Sequence, residues 1–303
     1  MPPGDGRPRP TMVAAGPLRR VLDSDGSAVK GRVGYQLGPD ASALILLRRV
    51  AFFDEGNGEL ARSGMRALLR WAAESSLGQG RDQAVDLLAH AAARRTAALR
   101  ALQGRGHQVV RLRVRPEWRL LVGAGSDDNP HEIELALHGT YGWPVIPGTG
   151  LKGLTAAWAA GSTRAGPPKA KDATLDQIFG TPRPGRPLRE GDEARRGDVR
   201  FLDALPAGEP LRVTVDVLTP HHQPYYQGDP PGAPPAEYHN PVPHEFLVVS
   251  GGEFAVDLAG PGADVVQAAK WCREALDELG AGAKTAAGYG YLLSRDVTGE
   301  ETP

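Results

Sequence analysis

Gly280-Ala281-Gly282-Ala283-Lys284-Thr285-Ala286-Ala287-Gly288-Tyr289-Gly290 decides the fold, because it joins an amphipathic helix to a closing strand. Before it, Val265, Ala269, Cys272, Leu276 and Leu279 recur at spacings of four, three, four and three, which predicts a helix ending at Gly280. After it, Tyr291-Leu292-Leu293 predicts a strand. A nucleotide-binding P-loop needs Gly directly before Lys-Thr and opens a helix. Here Ala283 precedes Lys284 and a strand follows, so phosphoryl-transfer mechanics do not follow.

Moving outward, Glu245 to Val249 and Glu253 to Leu258 read as strands about a Gly251-Gly252 turn. Strand signals also occur at Val199 to Asp203, Leu211 to Leu218, Trp118 to Val122 and Ile133 to Leu137. Leu151, Leu154, Thr155 and Trp158 sit at helical spacing, so a helix begins near Thr149 or Gly150 and projects Lys152 from its first turn. A glycine-lined helix start offers unpaired N–H groups and close approach, which suit a phosphate. Upstream, Arg111, Arg113 and Arg115 alternate with Val110, Leu112 and Val114, the signature of a strand with one cationic face that a polyanion can meet. From Val109 the order is strand, helix, strands, helix, strand. That is the split βαβ order of an α+β, ferredoxin-like or RRM-like fold, with long insertions and an N-terminal helical region.

The remaining sequence predicts a flexible segment over 1–40 and a helical region over 41–105 packed on the core. Leu44 to Leu47 is a short buried run in the latter, and two helices part at Leu77-Gly78-Gln79-Gly80. The core domain over 106–296 carries insertions at 161–197 and 219–243, and 297–303 is a tail. The first insertion reads as a mobile loop around one apolar island, Leu175 to Phe179. No apolar run of about 18 residues and no secretory stretch occurs, which predicts a cytoplasmic protein without membrane partners. Cys272 is the only cysteine and falls on an apolar helix position, so neither a disulfide nor a cysteine zinc site is expected. Net charge is −1, yet residues 1–120 hold 20 Lys+Arg against 11 Asp+Glu. A basic first part can face phosphates; solvated helix faces in an arginine-rich chain give the same pattern.

The proline-rich stretch 219–243 carries His221, His222, Tyr225, Tyr226, Tyr238 and His239. Its rings suit stacking on splayed RNA bases, or packing on a neighbouring subunit or the chain's own sheet. Histidines with Asp216 or Glu245 raise a metal site, but no His-Glu-x-x-His helix or cysteine pair supports one, and none is expected. Asp203, Asp216 and His138 are possible bases for a metal-independent ribonuclease, though no acid and base stand at a fixed spacing.

Ile146-Pro147-Gly148-Thr149-Gly150-Leu151-Lys152-Gly153 resembles the proline-glycine-serine-serine-leucine-lysine-glycine helix start of the RAMP superfamily, and Gly280 to Gly290 resembles its C-terminal glycine-rich loop. Phe201-Leu202-Asp203-Ala204, Asp216 to His222 with Tyr225-Tyr226, and Gly282 to Gly290 are similar, within that superfamily, to the sixth Cmr-type family of type III-B CRISPR effectors, over roughly 109–295. The resemblance implies a non-catalytic subunit of RRM-derived fold, without cofactor, that holds guide crRNA near its 3′ end and through it meets target RNA. Its implied protein partners are the backbone RAMP subunit, the head RAMP subunit and the small helical subunit. Thr149, Gly150, Lys152, Lys284, Thr285, Gly288 and Tyr289 would line the RNA backbone, and His221, His222, Tyr225 and Tyr226 would touch RNA or a neighbour. The alternative is an endoribonuclease that processes CRISPR transcripts, with His221 or His222 as base.

Overall fold

A computed structural model describes residues 12–15, 42–54, 59, 61–75, 82–124, 135–161, 169–183, 186–188, 190–191, 193–219, 221–222, 225, 234–235, 241 and 243–300. The chain divides into two units. One comprises Met1–Ser76, Gly125–Glu134 and Thr214–Val248; the other comprises Leu77–Ala124, Leu135–Val213 and Val249–Pro303.

In the first unit β1 (Met12–Ala15), α1 (Ala43–Arg49), β2 (Ala51–Asp54) and α2 (Arg62–Ser75) follow in order. The stretch read as a flexible segment thus contains a strand, paired antiparallel with β2 from Met12↔Asp54 to Ala15↔Ala51. Ala43, Leu46 and Leu47 turn one face of α1 inward, so the Leu44–Leu47 run is helical. The helical region does not stay together: α1 and α2 belong to this unit, whereas α3 (Asp82–Gln103) belongs to the second. Periodicity announces an amphipathic helix but not the surface that receives it.

The second unit continues with β3 (Gln108–Pro116), α4 (Gly148–Ala159), α5 (Asp172–Phe179), β4 (Gly180–Thr181), β5 (Arg195–Arg196), β6 (Arg200–Phe201) and β7 (Leu205–Pro206). β8 (Arg212–Leu218) and β9 (His244–Gly251), which pair with each other, belong for the most part to the first unit, and the second resumes with β10 (Phe254–Gly260), α6 (Gly262–Glu278) and β11 (Leu292–Asp296). The main sheet runs β11-β3-β10-β6, every neighbouring pair antiparallel, with β7 also on β10. β10 is buried along its whole length, as a central strand covered on both sides must be. One sheet face carries Val110, Leu112 and Val114 opposite Leu258, Val256 and Phe254. On the other face Leu99 of α3 packs with Val109 and Ala259.

Two expectations change. The described residues of 161–197 include a packed helix: Leu175, Ile178 and Phe179 of α5 are buried, and Phe179 stacks on Phe201 and Trp271 with centroids 5.9 and 6.2 Å apart. Arg183 reaches Asp172 and Asp176, both at 3.1 Å, and Arg186 also pairs with Asp176, so clustered charge becomes a tie instead of a loop. Trp118 to Val122 is not a strand beyond one bridge, Leu120↔Val249, because the carbonyls of Arg119 and Leu121 accept from the glycine-rich loop and that of Val122 from Ala136.

Candidate nucleic-acid interface

The helix start at Gly148 is held from a distance in sequence. The Gly148 N–H donates to Asp203 Oδ1 at 2.7 Å, while Arg95 Nη1 donates to the Asp203 carbonyl oxygen at 2.7 Å. A Cβ at Gly148 would overlap the Phe201 carbonyl oxygen, which explains that glycine. Gly150 is different: nothing lies within 4 Å of where its Cβ would be. Thr149 and Gly150 are exposed, and Lys152 beside them is part-buried. Burial holds the Lys152 ammonium below the usual lysine range, and the Arg196 guanidinium lowers it further. Among the described residues neither cation has an ion-pair partner. The fold therefore keeps Thr149, Gly150 and Lys152 together on the first turn of α4, and the charge of Arg196 on β5 acts on Lys152. Sequence reading missed Arg196 because it sits in the insertion.

The glycine-rich loop is sewn to the segment after β3. Ala281 N donates to Gly290 O at 2.7 Å, Ala283 N to Leu121 O at 2.8 Å and Gly290 N to Arg119 O at 2.7 Å. A Cβ at Gly282 would overlap Leu121 O, so this glycine exists for close packing. The amides of Ala281, Ala283, Gly288, Tyr289 and Gly290 all donate inside the chain. What faces outward is the single 3₁₀ turn Thr285–Ala287 with exposed Ala286, Ala287 and Gly288. Lys284 opens it at φ 60°, the one non-glycine residue with positive φ among those described, and such strain clusters at ligand sites. Tyr289 is buried, its ring 5.0 Å from that of Trp118 at 53°. The exposed ring here is Trp118, at 50% exposure, with Arg119 4.6 Å above it. Both follow directly on the cationic strand, a signal the sequence offered.

The helix start lies against residues following β6 and the loop feeds β11, the two outer strands of the sheet. Three inter-strand steps separate them, about 14 Å. His221, His222 and Tyr225 belong to the other unit, beyond β8; His221 and Tyr225 are exposed and His222 is part-buried. Tyr226, Tyr238 and His239 lie outside the described residues. Each possible base serves the backbone: Asp203 caps α4, Asp216 accepts from Val217 N at 2.8 Å, and His138 Nδ1 accepts from Thr140 N and Tyr141 N at 3.2 and 3.4 Å. Among the described residues no three His, Cys, Asp or Glu side chains cluster as metal ligands.

The model of the RAMP superfamily matches residues 119–293, more than half of the chain, and the chain belongs to that superfamily. The similarity to the sixth Cmr-type subunit also holds: the chain is 29% identical over 221 residues to the CRISPR system Cmr subunit Cmr6 of Pyrococcus furiosus. That match covers 58% of this chain and spans 65% of the relative's length. A chain in the cryo-EM structure of the type III-B Cmr-β complex bound to cognate target RNA has the same fold, with TM-score 0.54 and 18% identity over 76% of this chain and 70% of that one. The crystal structure of Cmr6 from Pyrococcus furiosus aligns with 62% of this chain and 99% of its own, at TM-score 0.35 and 24% identity.

Proposed function

We propose that this chain is a non-catalytic, RNA-binding subunit of a type III-B CRISPR effector, of the sixth Cmr kind. It holds guide RNA toward its 3′ end and joins the backbone subunit to the head of a cytoplasmic complex. Membership of the RAMP superfamily and the identity to Cmr6 support the class. The sheet order β11-β3-β10-β6, all antiparallel, follows the split βαβ pattern of a ferredoxin-like or RRM-like domain and supports an RRM-derived fold. No described helix is long and apolar enough to cross a membrane.

The observation that carries the reading is Lys152 with Arg196. Lys152, held below the usual lysine range by burial and then by the charge of Arg196, has no ion-pair partner among the described residues and stands beside an exposed turn whose Gly150 leaves open space, where an anion would favour its charged form. The guide backbone is that anion, and Lys284 on the strained turn continues the track. Sequence is read by guide–target base pairing, with this protein supplying charge and geometry. In the assembled complex, Lys152→Ala with Lys284→Ala lowers guide retention and flattens its salt dependence by about 0.7 in log–log slope per lost phosphate contact. Unchanged retention and slope would sink the reading. Incubation of the purified chain with repeat RNA tests the non-catalytic half: saturable cutting abolished by His221→Ala would make it a nuclease.

A further inference from the structure

The sheet face on which α3 packs at Val109 carries, further along β3, an uncompensated arginine. Arg111 and Arg95 share the fully buried carboxylate of Asp257, at 3.2 and 2.5 Å. Arg295 pairs with Glu253 at 3.5 Å and Glu300 at 3.3 Å. The Arg113 side chain, between these groups, has neither a hydrogen bond nor an ion pair among the described residues, and its Nη1 is buried without a partner. It stands directly opposite Arg295 on β11, a like-charge cross-strand pair that disfavours the empty fold. Burial and Arg111 both lower its pKa, and the nearest carboxylates, Asp257 and Glu253, are already engaged. Its neighbour on β10 is Ala255, too small to cover it, and Arg115, two residues on, is exposed.

We infer that part-buried Arg113 and exposed Arg115 form a second phosphodiester site for single-stranded RNA at the end of β3, continued by the exposed Trp118 ring. The inference rests on the RNA-binding reading above and adds a track on β3 to the helix start and the loop. Residues i and i+2 of a strand share a face about 7 Å apart, a step an extended nucleic-acid backbone can match. Trp118 follows within about 11 Å of chain from Arg115. Cations alternating with an exposed ring are how single strands are held without sequence preference, whereas an acidic peptide needs no ring. That favours RNA over a protein carboxylate.

The test uses the full chain and a labelled single-stranded RNA of about 20 nucleotides, titrated at several salt concentrations. Arg113→Met and Arg115→Ala are each expected to weaken binding several-fold and to flatten the salt slope by about 0.7. Trp118→Ala should weaken binding with the slope kept. Arg113→Met should leave the melting temperature unchanged or raised, because it removes an unpaired cation; if it disturbs the fold, exposed Arg115 still decides the matter. Wild-type affinity and slope in both arginine variants, with loss in Lys152→Ala/Lys284→Ala, would overturn this site and leave the RNA reading standing. No loss in any variant overturns both. Poly-glutamate that binds in an Arg113-dependent way, while RNA does not, assigns the site to a protein carboxylate and overturns it as well.

Discussion

Asp257 shows how one buried charge commits its surroundings. It has no solvent exposure and is held by two guanidiniums. Asp257→Ala leaves two part-buried arginines facing each other, and chemical denaturation should register a loss of about 3–5 kcal/mol. The cationic strand was legible in sequence, but its division of labour was not: Arg111 serves Asp257, and only Arg113 and Arg115 stay available. An acid inside the apolar run Val256-Asp257-Leu258 was the clue that one arginine would be claimed. Cys272 gives a pH prediction. Burial pushes its thiol up to about 11 from an ordinary 9.0, against a small opposing effect of the Thr155 hydroxyl. Between those values the unfolded thiol ionises while the folded one stays protonated, so stability present below pH 9 falls as pH rises toward about 11. Cys272→Ala should remove that part of the slope in denaturation curves recorded across the range.

At the scale of elements, α4 separates two kinds of glycine. Gly148→Ala drives a methyl into the Phe201 carbonyl and should displace the helix start, whereas Gly150→Ala meets open space. The second change should raise thermal stability by up to about 1 kcal/mol through helix propensity while weakening RNA affinity, because the backbone no longer admits a phosphate closely. A variant that gains stability and keeps affinity would show that the room at Gly150 is unused. Asp203→Ala removes the cap and should cost about 1 kcal/mol by denaturant unfolding, with Asp203→Asn largely restoring it. The helix was readable from Leu151, Leu154, Thr155 and Trp158, of which Leu151, Thr155 and Trp158 are buried and Leu154 only partly so. Its cap was not, since the acceptor comes from a different part of the chain after β6 and no local pattern encodes that meeting.

For the whole molecule, the balance of charge matters less than its placement. A net charge of −1 coexists with five cations assigned here to phosphates, Lys152, Arg196, Lys284, Arg113 and Arg115. If all are engaged by single-stranded RNA, the logarithm of affinity should fall against the logarithm of salt with a slope of about −3.5. From Val109 onward β3, α4, β10, α6 and β11 were readable because each keeps one period, whereas α5 and the single bridge at Leu120 were not. The allotment of α3 to a different unit from α2 was not, since both are amphipathic and only tertiary packing chooses their surfaces. The glycine-rich loop has a consequence at this scale. Its amides are spent on Leu121, Arg119 and Gly290, so the loop is shaped before RNA arrives. If the guide binds as proposed, it incurs little ordering entropy at this edge of the sheet and meets a rigid mould, to be released when salt competes for its cations, instead of a loop that folds around it.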